Sequence, residues 1–452
     1  MLRRDFIKTV GGGLPILPAL GGRVWAAGLG QGGPEEEEEE ALGQWFMAHR
    51  EELRKVREFI RAETKTLVDL AFQTPPGKGP RLPYPYIPVH KSPEWGYLFY
   101  WDTYFIIREL LKDGWVEVAR NQVRNFLFEI ERFGYVMNAN VYAWGTRSQP
   151  PLITLMVRAI SEAAFDPAFL QECYPALKQD YEKFWLGPLH RMPGSSFSRY
   201  QDNGFGLARL LRYPQNVLSN AQAECESGWD YSPRFEKRCL DFLPVDLNAY
   251  LYRYELDLAW MAERTGLSAG EVALWQERAK TRKAGFNEIF WDPERRFYFD
   301  YDFKNRRRGP VWSLAGYLPV WAGLAGEEQV QGAAAALGRF QKARGLAVCD
   351  QDYGIKDRQW NFPNSWPPLT WWTKECLREN GFQREAGRVI RQYLSVQTRL
   401  FRQTGELWEK YNAVSGDLDV TGGHEFGSNP MQGWSAAVFS DFYELAGKAA
   451  GE

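Results

Sequence analysis

Histidine is the scarcest reactive side chain in this 452-residue protein, which has only His49, His90, His190 and His424. None stands in a His-Glu-x-x-His pair, which sets aside the usual hydrolytic zinc pattern. Cysteine is nearly as sparse. Cys173, Cys225, Cys239, Cys349 and Cys376 form no Cys-x-x-Cys pair, and their odd number leaves at least one thiol unpaired. A Gly-x-Ser-x-Gly elbow, a P-loop and a dinucleotide fingerprint are also missing from any usable context. No run of about 18 uncharged apolar residues exists, which excludes a transmembrane helix. Basic and acidic residues nearly cancel, 55 against 57, so charge gives no case for a nucleic-acid or anionic-membrane partner. If the protein is an enzyme, its acid and base must be carboxylates, with no cofactor and no metal.

Aromatic residues, by contrast, are abundant: 28 Phe, 22 Tyr and 19 Trp. Such rings can fill a core, or they can line a cleft and stack on the apolar faces of pyranoses; composition leaves both open. Hydrophobic residues make up 44% of the chain, which argues against disorder. The first residues read as a leader. Arg3-Arg4-Asp5-Phe6-Ile7-Lys8 is a charged segment with a twin-arginine pattern. A Gly-rich, weakly apolar stretch follows, then Trp25-Ala26-Ala27 as a cleavage site. Residues 1–27 are therefore expected to direct twin-arginine export to the periplasm or beyond, leaving a mature chain with 51 basic and 56 acidic residues. Residues 28–40, with the run Glu35 to Glu40, read as a self-repelling, flexible acidic linker rather than a cation site.

Residues 41–452 are expected to form a single domain. Apolar residues recur at helical spacing over 53–72, 104–111, 116–130, 152–164, 169–185, 247–265, 271–289, 328–343, 382–396 and 434–445. Loops rich in Gly, Pro, Asn and Trp separate them, notably 73–97, 138–151 and 195–229. One β-hairpin is expected within 291–300. This pattern predicts an all-α fold, either a toroid of paired helices or a solenoid. Long aromatic loops gathered at one end favour the toroid.

Two acids stand out by their surroundings. Asp230 closes Glu226-Ser227-Gly228-Trp229-Asp230, where an adjacent indole would desolvate the carboxyl and raise its pKa, as a general acid requires. Glu425 lies in Gly422-Gly423-His424-Glu425-Phe426-Gly427, a Gly-rich loop that lets backbone approach a ligand. Local chemistry alone reads each as a loop acid or cap, and the spacing does not show that they meet.

Four segments in order resemble the trehalase family of glycoside hydrolases. They are Tyr100-Trp101-Asp102-Thr103-Tyr104-Phe105; Arg147-Ser148-Gln149-Pro150-Pro151-Leu152, with Asn138 upstream; Glu226 to Phe235, followed by Pro244-Val245-Asp246-Leu247-Asn248; and Gln359-Trp360-Asn361-Phe362-Pro363-Asn364-Ser365-Trp366, with Glu409-Lys410-Tyr411 and the Glu425 loop. The resemblance implies an (α/α)6 toroid and an inverting glycosidase, with Asp230 as general acid and Glu425 as general base. It places Trp101, Asp102, Asn138, Arg147, Ser148, Gln149, Gly228, Gln359, Trp360 and Trp366 around the sugar. The substrate it implies is a small disaccharide, α,α-trehalose, taken by a monomer with no membrane partner beyond export.

The chain departs from the family's pattern at several places. Glu94 stands where an arginine is expected, Phe99 replaces a tyrosine and Asn361 replaces an aspartate. The family's Arg-Pro-Glu-Ser-Tyr loop has no clear counterpart between Ser195 and Cys225. These changes leave two alternatives beside trehalose hydrolysis: a hydrolase of another small α-glycoside, or a sugar-binding protein whose catalysis has decayed.

Overall fold

The computed structural model describes residues 34–202, 215–355, 358–422 and 427–452. The leader and Glu425 lie outside the described residues. Thirteen α-helices occur among those described: α1 (Pro34–Leu70), α2 (Tyr100–Lys112), α3 (Val116–Phe133), α4 (Ile153–Ala163), α5 (Pro167–Gln179), α6 (Gln215–Glu226), α7 (Val245–Arg264), α8 (Ala269–Phe290), α9 (Leu318–Ala322), α10 (Glu327–Phe340), α11 (Pro367–Glu379), α12 (Gln383–Thr404) and α13 (Gly433–Ala449). A π-helical turn, Asp180–Trp185, extends α5.

Six of these helices close a ring. α2 packs on α4, α4 on α7, α7 on α9, α9 on α11, α11 on α13, and α13 returns to α2. A second set lies outside it: α1 against α13, α3 against α2 and α4, α5 against α4 and α7, α8 against α7, α10 against α9, and α12 against α11 and α13. The architecture is an (α/α)6 toroid, and the contact of α13 with α2 excludes the open solenoid. Burial follows position. Outer α8 buries Trp275, Ala279, Arg282, Phe286 and Phe290, a single stripe at helical spacing. Inner α7 is buried on every side and must satisfy polar groups within the protein: Asp246, Asn248, Glu255 and Asp257 are all inaccessible. At the seam, Asp441 of α13 pairs with Arg108 and Lys112 of α2, each at 2.7 Å, and accepts from the Trp371 indole of α11 at 2.7 Å.

The connections are unequal. Inner helices pass to outer ones through short turns at 113–115, 164–166, 265–268, 323–326 and 380–382. Outer helices return to inner ones through the long segments 71–99, 134–152, 186–244, 291–317, 341–366 and 405–432. All the long loops therefore gather over the N-terminal ends of the inner helices. Short antiparallel strands stitch them: β1 (Phe242–Leu243), β4 (Tyr301–Asp302) and β5 (Arg307–Arg308) form one sheet. β2 (Trp291–Asp292) and β3 (Phe297–Tyr298) make the expected hairpin. β6 (Asn364–Ser365) pairs with β7 (Tyr411–Asn412), joining the loop before α11 to the loop before α13.

Two expectations need correction, and one helix was missed. The glutamate run is not part of a flexible linker, because residues 34–40 are the first turns of α1. Proline suits the first helical position, and carboxylates near a helix N-terminus favour the macrodipole, so the run starts the helix. The segment Pro367–Glu379, not among the expected helices, is inner helix α11, and its first eight residues are all buried. Within the expected loop 195–229, residues 215–226 form α6.

Candidate active site

A cavity of about 450 Å³ opens among the long loops over the inner ring, a size suited to a small molecule. Inner-helix entry supplies its parts. The first turn of α2 contributes Trp101 and Asp102, and the segment before α4 contributes Asn138, Arg147 and Gln149. The segment after α6 contributes Gly228 and Asp230, and the loop before α11 contributes Gln359, Trp360 and Trp366. Ten of the residues expected at a sugar site thus meet around one space. Ser148 is a correction. It is buried outside the cavity, its N–H turned to Glu226 Oε1 at 3.0 Å. Arg147 and Gln149 line the cavity, and Ser148 between them belongs to the frame. Glu425 is outside the described residues; Gly427, two positions on, lines the cavity.

Asp230 is held by what lies behind it. Arg234, fully buried, forks onto two carboxylates: Nη1 and Nη2 reach Asp246 at 2.8 and 2.8 Å, while Nε and Nη2 reach Asp300 at 3.0 and 2.8 Å. Its guanidinium lies 4.3 Å from the centre of the Trp229 ring, a desolvated cation–π contact. Trp229 stacks on Trp360 (5.4 Å, 23°), which stacks in turn on Trp366 (3.8 Å, 5°). Trp229 therefore backs the cavity wall instead of forming its surface. Gly228 is required by two constraints: its φ is +71°, and a Cβ there would come within 2.9 Å of the Trp101 ring.

The cavity holds several carboxylates in unequal settings. Burial pushes the Asp230 carboxyl above its ordinary pKa, while the Arg147 charge and the Cys225 thiol oppose the rise. Burial also lifts Asp102 well above the carboxylate range, and the charges of Glu409 and Asp230 add to the effect. Glu409 instead accepts from Lys410 Nζ at 2.8 Å and from the Asn429 side chain at 3.1 Å. The Lys410 ammonium, buried and 4.7 Å from the Trp366 ring centre, also donates to Gln359 Oε1 (3.2 Å) and the Gly427 carbonyl (3.1 Å). All three of its N–H groups are thereby used inside the protein. Arg147 pairs with Asp202 at 3.7 Å, and its Nε makes no hydrogen bond among the described residues.

Of the three substituted positions Glu94, Phe99 and Asn361, Phe99 alone lines the cavity. Glu94 is exposed on a 3-10 turn outside it, and Asn361 is buried elsewhere, donating to Asp352 at 3.0 Å. Cys225, Tyr231, Glu409, Lys410, Asn429 and Trp434 also line the space; Tyr231, Glu409 and Lys410 stand in the resembling segments, but none of the six was expected at the sugar. For Glu409 and Lys410 the signal is their place in the fourth resembling segment, just ahead of strand β7.

The sequence profile of the family described as Trehalase matches residues 95–210 and 218–447. With the toroid and its carboxylate-lined cavity, this defines the class as a glycoside hydrolase. The chain belongs to the trehalase family. Neutral trehalase Nth1 from Saccharomyces cerevisiae is similar in structure, with a TM-score of 0.71 and 26% identity over 83% of this chain and 77% of that one. The mannosylglycerate hydrolase of Thermus thermophilus shares the fold at a TM-score of 0.62 and 18% identity, covering 85% of this chain and all, 100%, of that one. A rhamnosidase of Bacillus sp. GL1 shares it at 0.57 and 17%, over 86% of this chain and 34% of that one.

The Arg234 clamp yields a direct test. Arg234→Met strands two buried carboxylates and should lower the unfolding free energy by about 3–5 kcal/mol in urea titrations. Arg234→Lys should recover only part of the loss, because a point charge cannot fork onto two carboxylates. Wild-type stability in the methionine variant would contradict the clamp.

Proposed function

We propose that the protein is an inverting hydrolase of α,α-trehalose, releasing two glucoses without cofactor. The observation that carries this reading is the setting of Asp230: a carboxyl on the cavity surface whose pKa is raised by burial, beside Arg147, in a chain of the trehalase family. Asp230 in its protonated form gives its proton to the glycosidic oxygen as the bond to the anomeric carbon breaks. Because the elevated pKa governs the acid, activity falls as pH rises through it. Glu425 takes the role of general base and draws a proton from the water that attacks the opposite face of the ring. Inversion calls for about 6.5–9.5 Å between the two carboxyls, room for that water. This assignment of Glu425 rests on its motif alone. Asp102 and Arg147 hold vicinal hydroxyls, and Trp101, Trp360 and Trp366 offer ring faces to the sugar.

Phe99 favours keeping a second substrate in view, another small α-glycoside. It places a ring without a hydroxyl in the wall where the family pattern has tyrosine, and it tilts against Trp144 (5.8 Å, 33°). A wall that asks for no hydrogen bond discriminates weakly among leaving groups. The leader, residues 1–27, supports export of the folded enzyme by the twin-arginine route, where it would act as a monomer.

Asp230→Asn and Glu425→Gln should each lower kcat on trehalose by about 10²–10⁴-fold, with thermal unfolding unchanged; full turnover in either variant would defeat the mechanism. Fused to a reporter, residues 1–27 should deliver it across the inner membrane. Changing Arg3 and Arg4 together to lysine should stop delivery, and export that persists in that variant would contradict the route.

A further inference from the structure

Glu226 belongs to no cavity wall, yet its two oxygens tie together the loops before α4 and α7. It is the last residue of α6 and fully buried. Oε1 accepts the Ser148 N–H at 3.0 Å, and Oε2 accepts the Gln201 N–H at 2.7 Å and faces His190 Nε2 at 3.0 Å. Two of these partners bear on the position of Arg147. Ser148 lies between Arg147 and Gln149, and Gln149 accepts the Trp101 N–H at 3.1 Å. Gln201 precedes Asp202, whose carboxylate pairs with Arg147 at 3.7 Å and accepts from Thr146 Oγ1 at 3.2 Å. Glu226 itself leads, through the tight turn at Gly228, to Asp230. His190 anchors the arrangement from the far side, its ring packed on Phe184 and Trp185.

We infer that Glu226 is the positioning residue that fixes Arg147 relative to Asp230, a role that rests on the reading of Asp230 as general acid. The chemistry requires a carboxylate. Two backbone N–H groups and an imidazole converge on its two oxygens, and only a carboxylate offers acceptors on both. An amide would turn an NH2 toward a backbone N–H and leave that donor buried without a partner. The loop segment carrying Arg147 or the one carrying Asp202 would then shift. A displacement of about 1 Å at a reacting site can lower the rate by about 100-fold. Glu226 has no surface on the cavity, so it acts through Arg147 and does not touch substrate.

The test is the pH profile of kcat/KM for Glu226→Gln, run beside wild type and Asp230→Asn. Among the described residues, the titratable groups acting on or through Asp230 are Arg147, Cys225, Asp102, Glu224 and Tyr231. Arg147 holds the Asp230 pKa down, so its displacement lets that pKa rise. Glu226→Gln should therefore lower kcat/KM by about 10- to 100-fold and move the basic limb to higher pH. Simple loss of a negative charge would move the limb the other way, to lower pH. That outcome, or a profile within about twofold of wild type, overturns the inference. If Glu226→Gln does not fold, two His190 variants replace it. His190→Gln keeps a donor toward Glu226 and should behave as wild type, whereas His190→Phe fills the space without one and should shift the limb upward. Equal profiles in the two would also overturn the inference. The readings fail separately: activity in Asp230→Asn defeats the catalytic assignment, whereas an inactive Asp230→Asn with an unaltered Glu226→Gln defeats only the positioning role.

Discussion

A single buried guanidinium fixes the face on which the chemistry would occur. Arg234 is divided between Asp246, in the first turn of inner helix α7, and Asp300, beside the β3–β4 corner. The cation therefore ties the loop that follows Asp230 both to the ring and to the sheet beside it. Burying three charges is expensive in desolvation, and such a cluster is a weak source of net stability. Its effect here is geometric. The guanidinium plane supports Trp229, Trp229 supports Trp360, and Trp360 supports Trp366 and packs near Trp101 (5.7 Å). The aromatic wall and Asp230 are thus parts of one stack with its foot on an ion triad.

The toroid makes this economical. Short turns at one end of the ring bring neighbouring helices together with little freedom, and the seam through Asp441 joins the last inner helix to the first. That leaves the other end for long segments that need not carry the fold. Those segments are secured by buried polar side chains in place of extended sheet: Lys410 joins the loops before α11 and α13, and Glu226 joins those before α4 and α7. Each is placed where backbone donors or carbonyls would otherwise be buried unpaired.

Much of this was legible in the sequence, for physical reasons that also explain the gaps. Outer helices such as α3 and α12 show themselves because one face meets water and the other the ring. Inner α11 was missed; Trp371, Trp372, Thr373 and Lys374 are all buried, so its middle turn has no polar face toward water to mark it. The cavity residues carried by motifs were readable, and Asp102, Arg147, Gln149, Asp230 and Trp360 do converge. Ser148 was placed at the sugar because a motif marks neighbours together, whereas the structure gives the cavity to Arg147 and Gln149 and turns the Ser148 N–H to Glu226. Lys410 and Glu226 were not recognisable as struts, since a buried charge announces itself only through partners that are distant in sequence. Glu94 looked like a charge reversal at the cleft, yet its side chain faces solvent.

The central claim is that this toroid cleaves α,α-trehalose with inversion at one anomeric carbon. Proton NMR at the first minutes of turnover, before mutarotation, measures it most directly. The account predicts equal amounts of fresh α- and β-glucose, one from the leaving group and one from the inverted centre. Release of α-glucose alone would contradict inversion, and intact trehalose with a folded enzyme would contradict the substrate.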